Sequence, residues 1–343
     1  MFNNQSILIT GGTGSFGKAF IKHILKNYKP KNVIVYSRDE LKQFEMQQEF
    51  EQAKAVQFLI GDVRDENRLS AACHGVDLVV HAAALKQIPT AEYNPMECIK
   101  TNIIGAQNII NVALHHKIKK VIALSTDKAA NPANLYGATK LAADRLFVAA
   151  NNIDVTGHTR FSVVRYGNVM GSRGSVVPLF KKLLSQGAKE LPVTDARMTR
   201  FWITLDHGIQ FVSKAFQRMH GGEIFIPKLP SSTIMDIILA LAPEVKAKMI
   251  GIRAGEKLHE LMCTKDDARM TLEFQDHYIV KPSIVCHFQA DYGINALGEQ
   301  GHPVCEGFEY SSETNPWFLS VDEIQTLLNE EQTVSHAILE TVN

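Results

Sequence analysis

The chain has 343 residues, 45% hydrophobic, 21% charged and 8% aromatic, a composition that fits a folded enzyme large enough for two cores. Lys plus Arg and Asp plus Glu each total 36, so the formal net charge is zero. That balance argues against nucleic acid as the main partner, which calls for a broad basic surface, while leaving local basic clusters able to hold a small anion.

In chain order, residues 6–10 predict a short buried strand, a glycine loop follows, and Lys18 to Asn27 predicts a helix. Asn32 to Tyr36 reads as a second strand, Asp39 to Glu51 as a helix with Leu41, Phe44 and Met46 near one-turn spacing, and Val56 to Gly61 as a third strand. Val76 to His81 is a fourth strand ending in Ala82-Ala83-Ala84. Ile99 to His115 is a long helix, Val121 to Ser125 a strand, Tyr136 to Asn151 a helix and Phe161 to Arg165 one more strand. This alternation predicts an α/β fold, a Rossmann-type doubly wound parallel sheet covered on both faces, with ligands at the carboxyl ends of the strands.

The alternation weakens after about Val169. Val176 to Gln186, Leu205 to Met219 and Ile234 to Leu241 read as helices and Glu223 to Ile226 as a strand. Leu272 to Val280 fits either a strand pair or a strand and loop. Ser311 to Asn343 reads as a helical segment or arm. We therefore expect a nucleotide-binding domain with the catalytic residues over 1–168. Residues 169–343 form a smaller, mainly substrate-binding domain interleaved with returning sheet elements.

Cys73, Cys98, Cys263, Cys286 and Cys305 make no C-x-x-C pair and are odd in number, so a reducing compartment is expected. Met1 to Ser6 has no basic region, and the apolar run after it is broken by Thr10 and glycines. Neither a signal peptide nor an integral membrane segment is expected, and the protein is read as cytoplasmic.

Gly11, Gly14 and Gly17 lie between the first strand and the first helix, where a glycine loop lets backbone approach a pyrophosphate. Gly11, Thr13, Gly14, Ser15, Phe16 and Gly17 are the candidate contacts of this cradle. With no G-K-[ST], a nucleoside triphosphatase loop is disfavoured. The second strand ends in Ser37-Arg38, and an arginine there can pair with a 2′-phosphate, so NADP is expected over NAD despite the following Asp39 and Glu40. Asp62 and Val63 are placed for the adenine end, and Ala82 and Lys86 for the loop after the fourth strand.

The reactive cluster is Thr126, Asp127 and Lys128 together with Tyr136 and Lys140. Tyr136 and Lys140 are four apart, so on a helix they share a face, and an ammonium beside a phenol lowers its pKa toward a usable base. Thr126 offers a hydroxyl to the substrate. Asp127 and Lys128 exceed what a simple alcohol dehydrogenase or epimerase needs. Oxidation of an alcohol acidifies the adjacent C–H, which a second amine can take while a carboxylic acid protonates a departing hydroxyl.

These motifs resemble those of the inverting UDP-N-acetylglucosamine 4,6-dehydratases, in the extended short-chain dehydrogenase/reductase family. The resemblance covers nearly the whole chain. It rests on Thr10-Gly11-Gly12-Thr13-Gly14-Ser15-Phe16-Gly17, Tyr36-Ser37-Arg38-Asp39-Glu40, His81-Ala82-Ala83-Ala84-Leu85-Lys86, Ser125-Thr126-Asp127-Lys128-Ala129 and Tyr136-Gly137-Ala138-Thr139-Lys140. It continues in Arg165-Tyr166-Gly167-Asn168-Val169, Arg200-Phe201-Trp202 and Arg253-Ala254-Gly255-Glu256-Lys257-Leu258-His259-Glu260.

The resemblance implies a lyase, specifically a hydro-lyase, with NADP as internal hydride shuttle. Tyr136 is the base at C4, Lys128 the base at C5 and Asp127 the group that expels water from C6. It further implies a homo-oligomer, with hexamers among its relatives, and a place in bacterial glycan synthesis such as pseudaminic acid for flagellin glycosylation. Candidate contacts to UDP-N-acetylglucosamine are Lys86, Thr126, Tyr136, Asn168, Arg173, Arg200, Arg253 and Glu256. No metal is expected. A nucleotide-sugar 4-epimerase is the first alternative, disfavoured by Asp127-Lys128, and a non-catalytic NADP-sensing protein is the second.

Overall fold

In the computed structural model, which describes residues 1–172, 174–284 and 290–329, strand and helix alternate through the first half of the chain. β1 (Ser6–Thr10) leads to α1 (Ser15–Asn27), β2 (Asn32–Ser37) to α2 (Glu40–Glu49), and β3 (Val56–Ile60) to α3 (Glu66–Ala72). β4 (Leu78–His81) is followed by α4 (Ile88–Tyr93), α5 (Pro95–Ile99) and α6 (Gly105–His115), β5 (Lys120–Thr126) by α7 (Leu135–Ala150), and then comes β6 (Arg160–Tyr166). The six strands pair in parallel in the order β3-β2-β1-β4-β5-β6. The order reverses between β1 and β4, so a crevice opens where their carboxyl ends diverge.

The apolar runs are continuous because both faces of the sheet are covered. Ile7 and Ile9 pack into one layer with Phe20, Ile24 and Phe216, whereas Leu8 between them packs into the other with Ile109 and Phe147. Each such burial stabilises the fold by about 1.5–3 kcal/mol. α1 and α9 (Leu205–Arg218) pack together on one face, and α3, α6 and α7 on the other.

The second half both extends this sheet and adds to it. β7 (Asn168–Val169), β9 (Thr199–Ile203) and β11 (Ser231–Thr233) form a three-stranded sheet, and β8 (Glu190–Val193) pairs with β12 (Lys246–Met249). α8 (Val176–Ser185) and α10 (Ile234–Leu241) join them in a separate apolar cluster that includes Phe180, Leu191, Trp202 and Ile237. β10 (Ile224–Pro227) returns to the main sheet beside β6, and β15 (His277–Val280), β14 (Thr271–Glu273) and β16 (His302–Pro303) add antiparallel to it. The segment Leu272–Val280 is therefore a strand pair. β13 (Leu261–Cys263) pairs with β17 (Tyr310–Ser311).

Two expected elements differ. The long helix over 99–115 is interrupted by a π-helical turn at Lys100–Ile104. That turn carries buried Asn102, which accepts from the Leu85 N–H at 2.8 Å and donates to the Leu85 carbonyl at 3.0 Å and to Thr139 Oγ1 at 3.0 Å. It pins the loop after β4 to α7, a use of local irregularity common near functional sites. The expected helical segment from Ser311 begins instead as a strand, with residues 321–329 helical, and residues 330–343 lie outside the described residues. Among the described residues no helix is long and apolar enough to cross a membrane.

Candidate active site

A cleft of about 470 Å³ lies over the carboxyl ends of the parallel strands, lined by the glycine loop, the loop after β4, the end of β5, α7 and the loop after β6. Gly11, Gly14, Ser15, Phe16, Gly17, Ala82, Lys86, Thr126, Lys128, Tyr136, Lys140 and Asn168 of the expected site all line it.

The cradle fits a dinucleotide. α1 starts at Gly14 with no side-chain cap and no acidic residue in its first turn. By contrast α2, α3 and α7 are capped by Asp39, Asp65 and Asn134. The first amides of α1 thus remain available to an anion, with the helix dipole favouring negative charge there. A Cβ at Gly17 would overlap the backbone of Gly12, so only glycine lets α1 close onto the loop.

At the end of β2 the expected contacts have other partners. Gln43 donates to the Ser37 carbonyl at 3.0 Å and hydroxyl at 3.1 Å, which ties Ser37 into the core. Arg38 Nη1 lies 3.8 Å from Asp62 Oδ2. Burial opposes ionisation of Asp62, but hydrogen bonds from Arg64 and the charge of Arg38 outweigh it and hold its carboxyl below the usual range. Val63 is a core side chain.

The reactive residues sit where β5 runs into a 3-10 turn at Asp127–Ala129. Thr126 Oγ1 donates to Asp127 Oδ1 at 2.9 Å, and Lys128 Nζ donates to the same oxygen at 3.0 Å. Gly137, in the first turn of α7, is what allows this arrangement, because a Cβ there would overlap the Lys128 carbonyl and meet Pro132 Cβ at 3.0 Å. The turn is thereby pressed against the helix that carries Tyr136.

Electrostatics in the cluster differ from the expectation in one respect. Tyr136 is buried, and burial pushes its phenol up to about 12 against the opposing influence of Lys128 and Thr126. Lys140 Nζ donates to the Leu124 carbonyl at 2.6 Å, and burial lowers its pKa although Asp144 works the other way. In the free protein Lys128 is a cation that lowers the phenol, while Lys140 is engaged by the Leu124 carbonyl. For Lys128 itself, burial disfavours the ammonium, but Asp127 and Glu260 together prevail and hold it above the usual lysine range. Desolvation by the cleft walls, together with Lys128, lowers Lys86.

The structure adds a residue that sequence reasoning left without a role. Glu260, only 2% exposed, places Oε1 3.1 Å from Lys128 Nζ. Its signal was an acid immediately before the apolar Leu261-Met262-Cys263, where a buried carboxylate needs a cation. Lys257 Nζ, 3.8 Å from Glu260 Oε2, donates to the Ala130 carbonyl at 2.7 Å.

The expected arginine contacts disperse. Arg200 donates to the carbonyls of Thr199, Leu258 and Lys257 at 2.7, 2.9 and 3.0 Å, and its Nε lies 3.8 Å from Glu260. It buttresses the 257–260 segment. Arg253 and Glu256 pair with each other. Their loop docks on the start of α7, where Asn134 Nδ2 donates to the Gly255 carbonyl at 2.8 Å. Arg173 and Cys286 lie outside the described residues. Among the described residues no group of three or more His, Cys, Asp or Glu is placed to hold a metal ion.

Comparisons with known proteins agree with this architecture. A family model for polysaccharide biosynthesis proteins matches residues 7–282. Over 330 residues, 96% of this chain and 98% of the relative, the chain is 62% identical to the inverting UDP-N-acetylglucosamine 4,6-dehydratase of Campylobacter jejuni. It is 43% identical to the UDP-glucose 4-epimerase of Rickettsia massiliae over 81% of this chain and 83% of the relative. Among solved structures, Pen from Bacillus thuringiensis superposes with a TM-score of 0.87 at 36% identity, over 97% of this chain and 99% of that one.

The expectation of NADP is corrected. Several solved proteins of this fold hold NAD. One is the dTDP-glucose 4,6-dehydratase of Streptomyces venezuelae, at TM-score 0.65 and 22% identity over 74% of this chain and 86% of that one. The physical reason lies beside Arg38, whose charge faces Asp62, with Asp39 adjacent in the chain, so a 2′-phosphate would meet carboxylates as well as a guanidinium. The fold, the cleft and these identities converge: the chain belongs to the polysaccharide biosynthesis protein family and, within it, to the inverting UDP-N-acetylglucosamine 4,6-dehydratases of the extended short-chain dehydrogenase/reductases.

Proposed function

We propose that the chain removes water from UDP-N-acetylglucosamine across C5 and C6 with inversion at C5, giving UDP-2-acetamido-2,6-dideoxy-β-L-arabino-hexos-4-ulose. The observation that carries this reading is the Asp127–Lys128 pair at 3.0 Å, set in the same cleft as Tyr136. An epimerase acting at C4 alone has no use for that pair. NAD is the cofactor of this reading, with its pyrophosphate at Gly11, Thr13, Gly14, Ser15, Phe16 and Gly17 and its adenine end near Asp62 and Val63. When bound, it stores a hydride reversibly, so oxidation at C4 and reduction at C6 balance and no external reductant is consumed.

The side chains divide the proton work. Tyr136 takes the C4 hydroxyl proton, with Thr126 orienting the sugar and Lys140 holding the cofactor ribose. Because the phenol starts near 12, it needs help in becoming a base, and the Lys128 ammonium provides part of it. A proton passing from Lys128 to Asp127 converts the resting ion pair into a neutral amine and a neutral acid without changing the proton count. The amine then takes the C5 proton and the acid protonates the leaving C6 hydroxyl. Lys86 and Asn168 hold the diphosphate and sugar from the cleft wall.

Residues 1–168 carry the cofactor and the reacting groups in this reading, and residues 169–343 mainly carry the substrate. A cytoplasmic homo-oligomer feeding bacterial glycan synthesis, such as pseudaminic acid for flagellin, completes it. Incubation with UDP-N-acetylglucosamine and NAD, followed by mass and NMR analysis, tests the reaction. Loss of one water and an inverted C5 are expected. A product of unchanged mass would establish a 4-epimerase instead.

A further inference from the structure

Lys128 pairs with two buried carboxylates, one its neighbour in sequence and one from the later half of the chain. Asp127 Oδ1 is 3.0 Å from its Nζ, and Glu260 Oε1 is 3.1 Å away. The two acids are not equivalent. Asp127 has Thr126 and Lys128 as its hydrogen-bond donors. Glu260 faces three cations within 4 Å: Lys128, Arg200 at 3.8 Å and Lys257 at 3.8 Å. Each acid leaves one buried oxygen, Asp127 Oδ2 and Glu260 Oε2, without a hydrogen-bond partner. Glu260 is thus the acid surrounded by positive charge, and Asp127 the one held by a single cation and a hydroxyl.

We propose that Glu260 is the standing counter-ion of Lys128, keeping the ammonium paired during the interval in which Asp127 is the neutral acid. The inference rests on the reading of Lys128 as the C5 base and Asp127 as the C6 acid. Elimination begins with a neutral amine and a neutral acid. The C5–H bond breaks, its electrons stay on the sugar as the enolate of the C4 ketone, and the proton forms a new N–H bond on Lys128. Until Asp127 passes its proton to the C6 oxygen and water leaves, the new ammonium has no anion in Asp127. Besides the transient enolate, Glu260 is the anion it has. Without Glu260, a buried cation would form beside a neutral acid with only that enolate to balance it, and a poorly paired buried charge is among the costliest features a protein can carry.

Glu260 touches neither substrate nor cofactor in this scheme and is a positioning residue. It acts by strengthening Lys128 as a base. The charged and titratable groups that face the pair are Asp127 on the same turn, Tyr136 on α7, Lys86 after β4, Arg200 on β9 and Lys257 before β13. None but Asp127 offers Lys128 a carboxylate in Glu260's place.

The test titrates Lys128 directly in the full chain, by the pH dependence of trace acetylation with acetic anhydride read by peptide mass spectrometry. Removing a charge within about 4–6 Å shifts a neighbouring titration by about 1–3 units. In Glu260→Gln the midpoint is expected to fall by at least about one unit, so the amine reacts at lower pH. In Glu260→Asp, whose carboxylate is drawn back by one methylene, a smaller fall is expected, and this variant serves if the first does not fold. Turnover in Glu260→Gln should drop at least about tenfold with KM nearly unchanged, the pattern of a group that matters in the transition state.

A Lys128 midpoint unmoved in either folded variant overturns the proposal, because a merely structural Glu260 would lower Tm alone. Failure of the underlying reading is separate. If Lys128→Ala still exchanges C5 hydrogen with D₂O at the parent rate, Lys128 is not the base, whatever Glu260 does to its titration.

Discussion

Gly137 is the position where a single methyl group separates stability from catalysis. Gly137→Ala places a Cβ against the Lys128 carbonyl oxygen and at 3.0 Å from Pro132 Cβ. The first obstacle is backbone and cannot rotate aside. Two stability effects then oppose each other. Alanine in a helix is favoured over glycine by about 0.8–1.0 kcal/mol, whereas forcing a methyl into packed structure costs about 1–3 kcal/mol. The net is a loss of roughly 0–2 kcal/mol, and Tm should fall by no more than a few degrees for a chain of this size.

Catalysis should fall much further. α7 is held by α4, α5, α6, β5 and β6, so relief comes from the 127–132 turn, which moves Asp127 and Lys128 away from Tyr136. A displacement of about 1 Å can cost about 100-fold in rate. Scanning calorimetry measures the first quantity and steady-state conversion of UDP-N-acetylglucosamine the second. Single-turnover absorbance at the reduced-nicotinamide band then separates the steps. Oxidation at C4 should slow less than elimination, because Tyr136 stays on its helix and loses only the help of Lys128, whereas elimination needs Asp127 and Lys128 themselves. Parent turnover with parent Tm would refute the claim that the turn is pressed onto α7.

Lys128→Ala should lower kcat by about 10²–10⁴-fold with little change in KM; deuterium entering C5 from D₂O at the parent rate would remove Lys128 from the mechanism. Arg38→Ala should weaken NAD by less than about fivefold, since an exposed pair such as Arg38–Asp62 is worth about 0.2–1 kcal/mol; isothermal titration showing a loss of twentyfold or more would give Arg38 a direct role at the cofactor. His81 is buried against Thr10, and burial, aided by Lys140, lowers its pKa to about 3. It stays neutral in the fold while the unfolded chain takes a proton near 6.5. Its contribution is therefore fully present above about pH 6.5 and is lost as pH falls toward 3, at about 1.4 kcal/mol per unit. Melting curves of the parent and His81→Gln should diverge in pH slope across that window, and parallel slopes would contradict the assignment.

The parts of the site legible in the sequence are those built from neighbours. The glycine loop sits between β1 and α1 because a cradle is a local turn, and Tyr136 and Lys140 share a helix face because four residues make about one turn. Thr126, Asp127 and Lys128 stand at a strand end for the same reason. Short strands such as β8 and β12, or β9 and β11, escaped notice because their partners are distant and neither strand is long enough to show a period. Long-range partners were not legible either: in the free protein the fold joins Arg253 and Glu256 to each other and ties Lys140 to the Leu124 carbonyl.

The same limit explains Glu260, and it suggests how the residue could have been found. Lys128 follows a strand whose central residues, Val121 to Ser125, are buried, so its amine enters a place where water is scarce. Asp127 can pair with it, but an acid that must also give up a proton cannot be its permanent partner. A second carboxylate is then required by charge, and it has to be buried too. In the later half of the chain, an acid that directly precedes a short apolar strand meets that requirement: Glu260, before Leu261-Met262-Cys263, with Lys257 three residues earlier and Arg200 3.8 Å away. The chemistry is thus written at the end of β5, whereas the charge that lets it proceed arrives from the segment before β13.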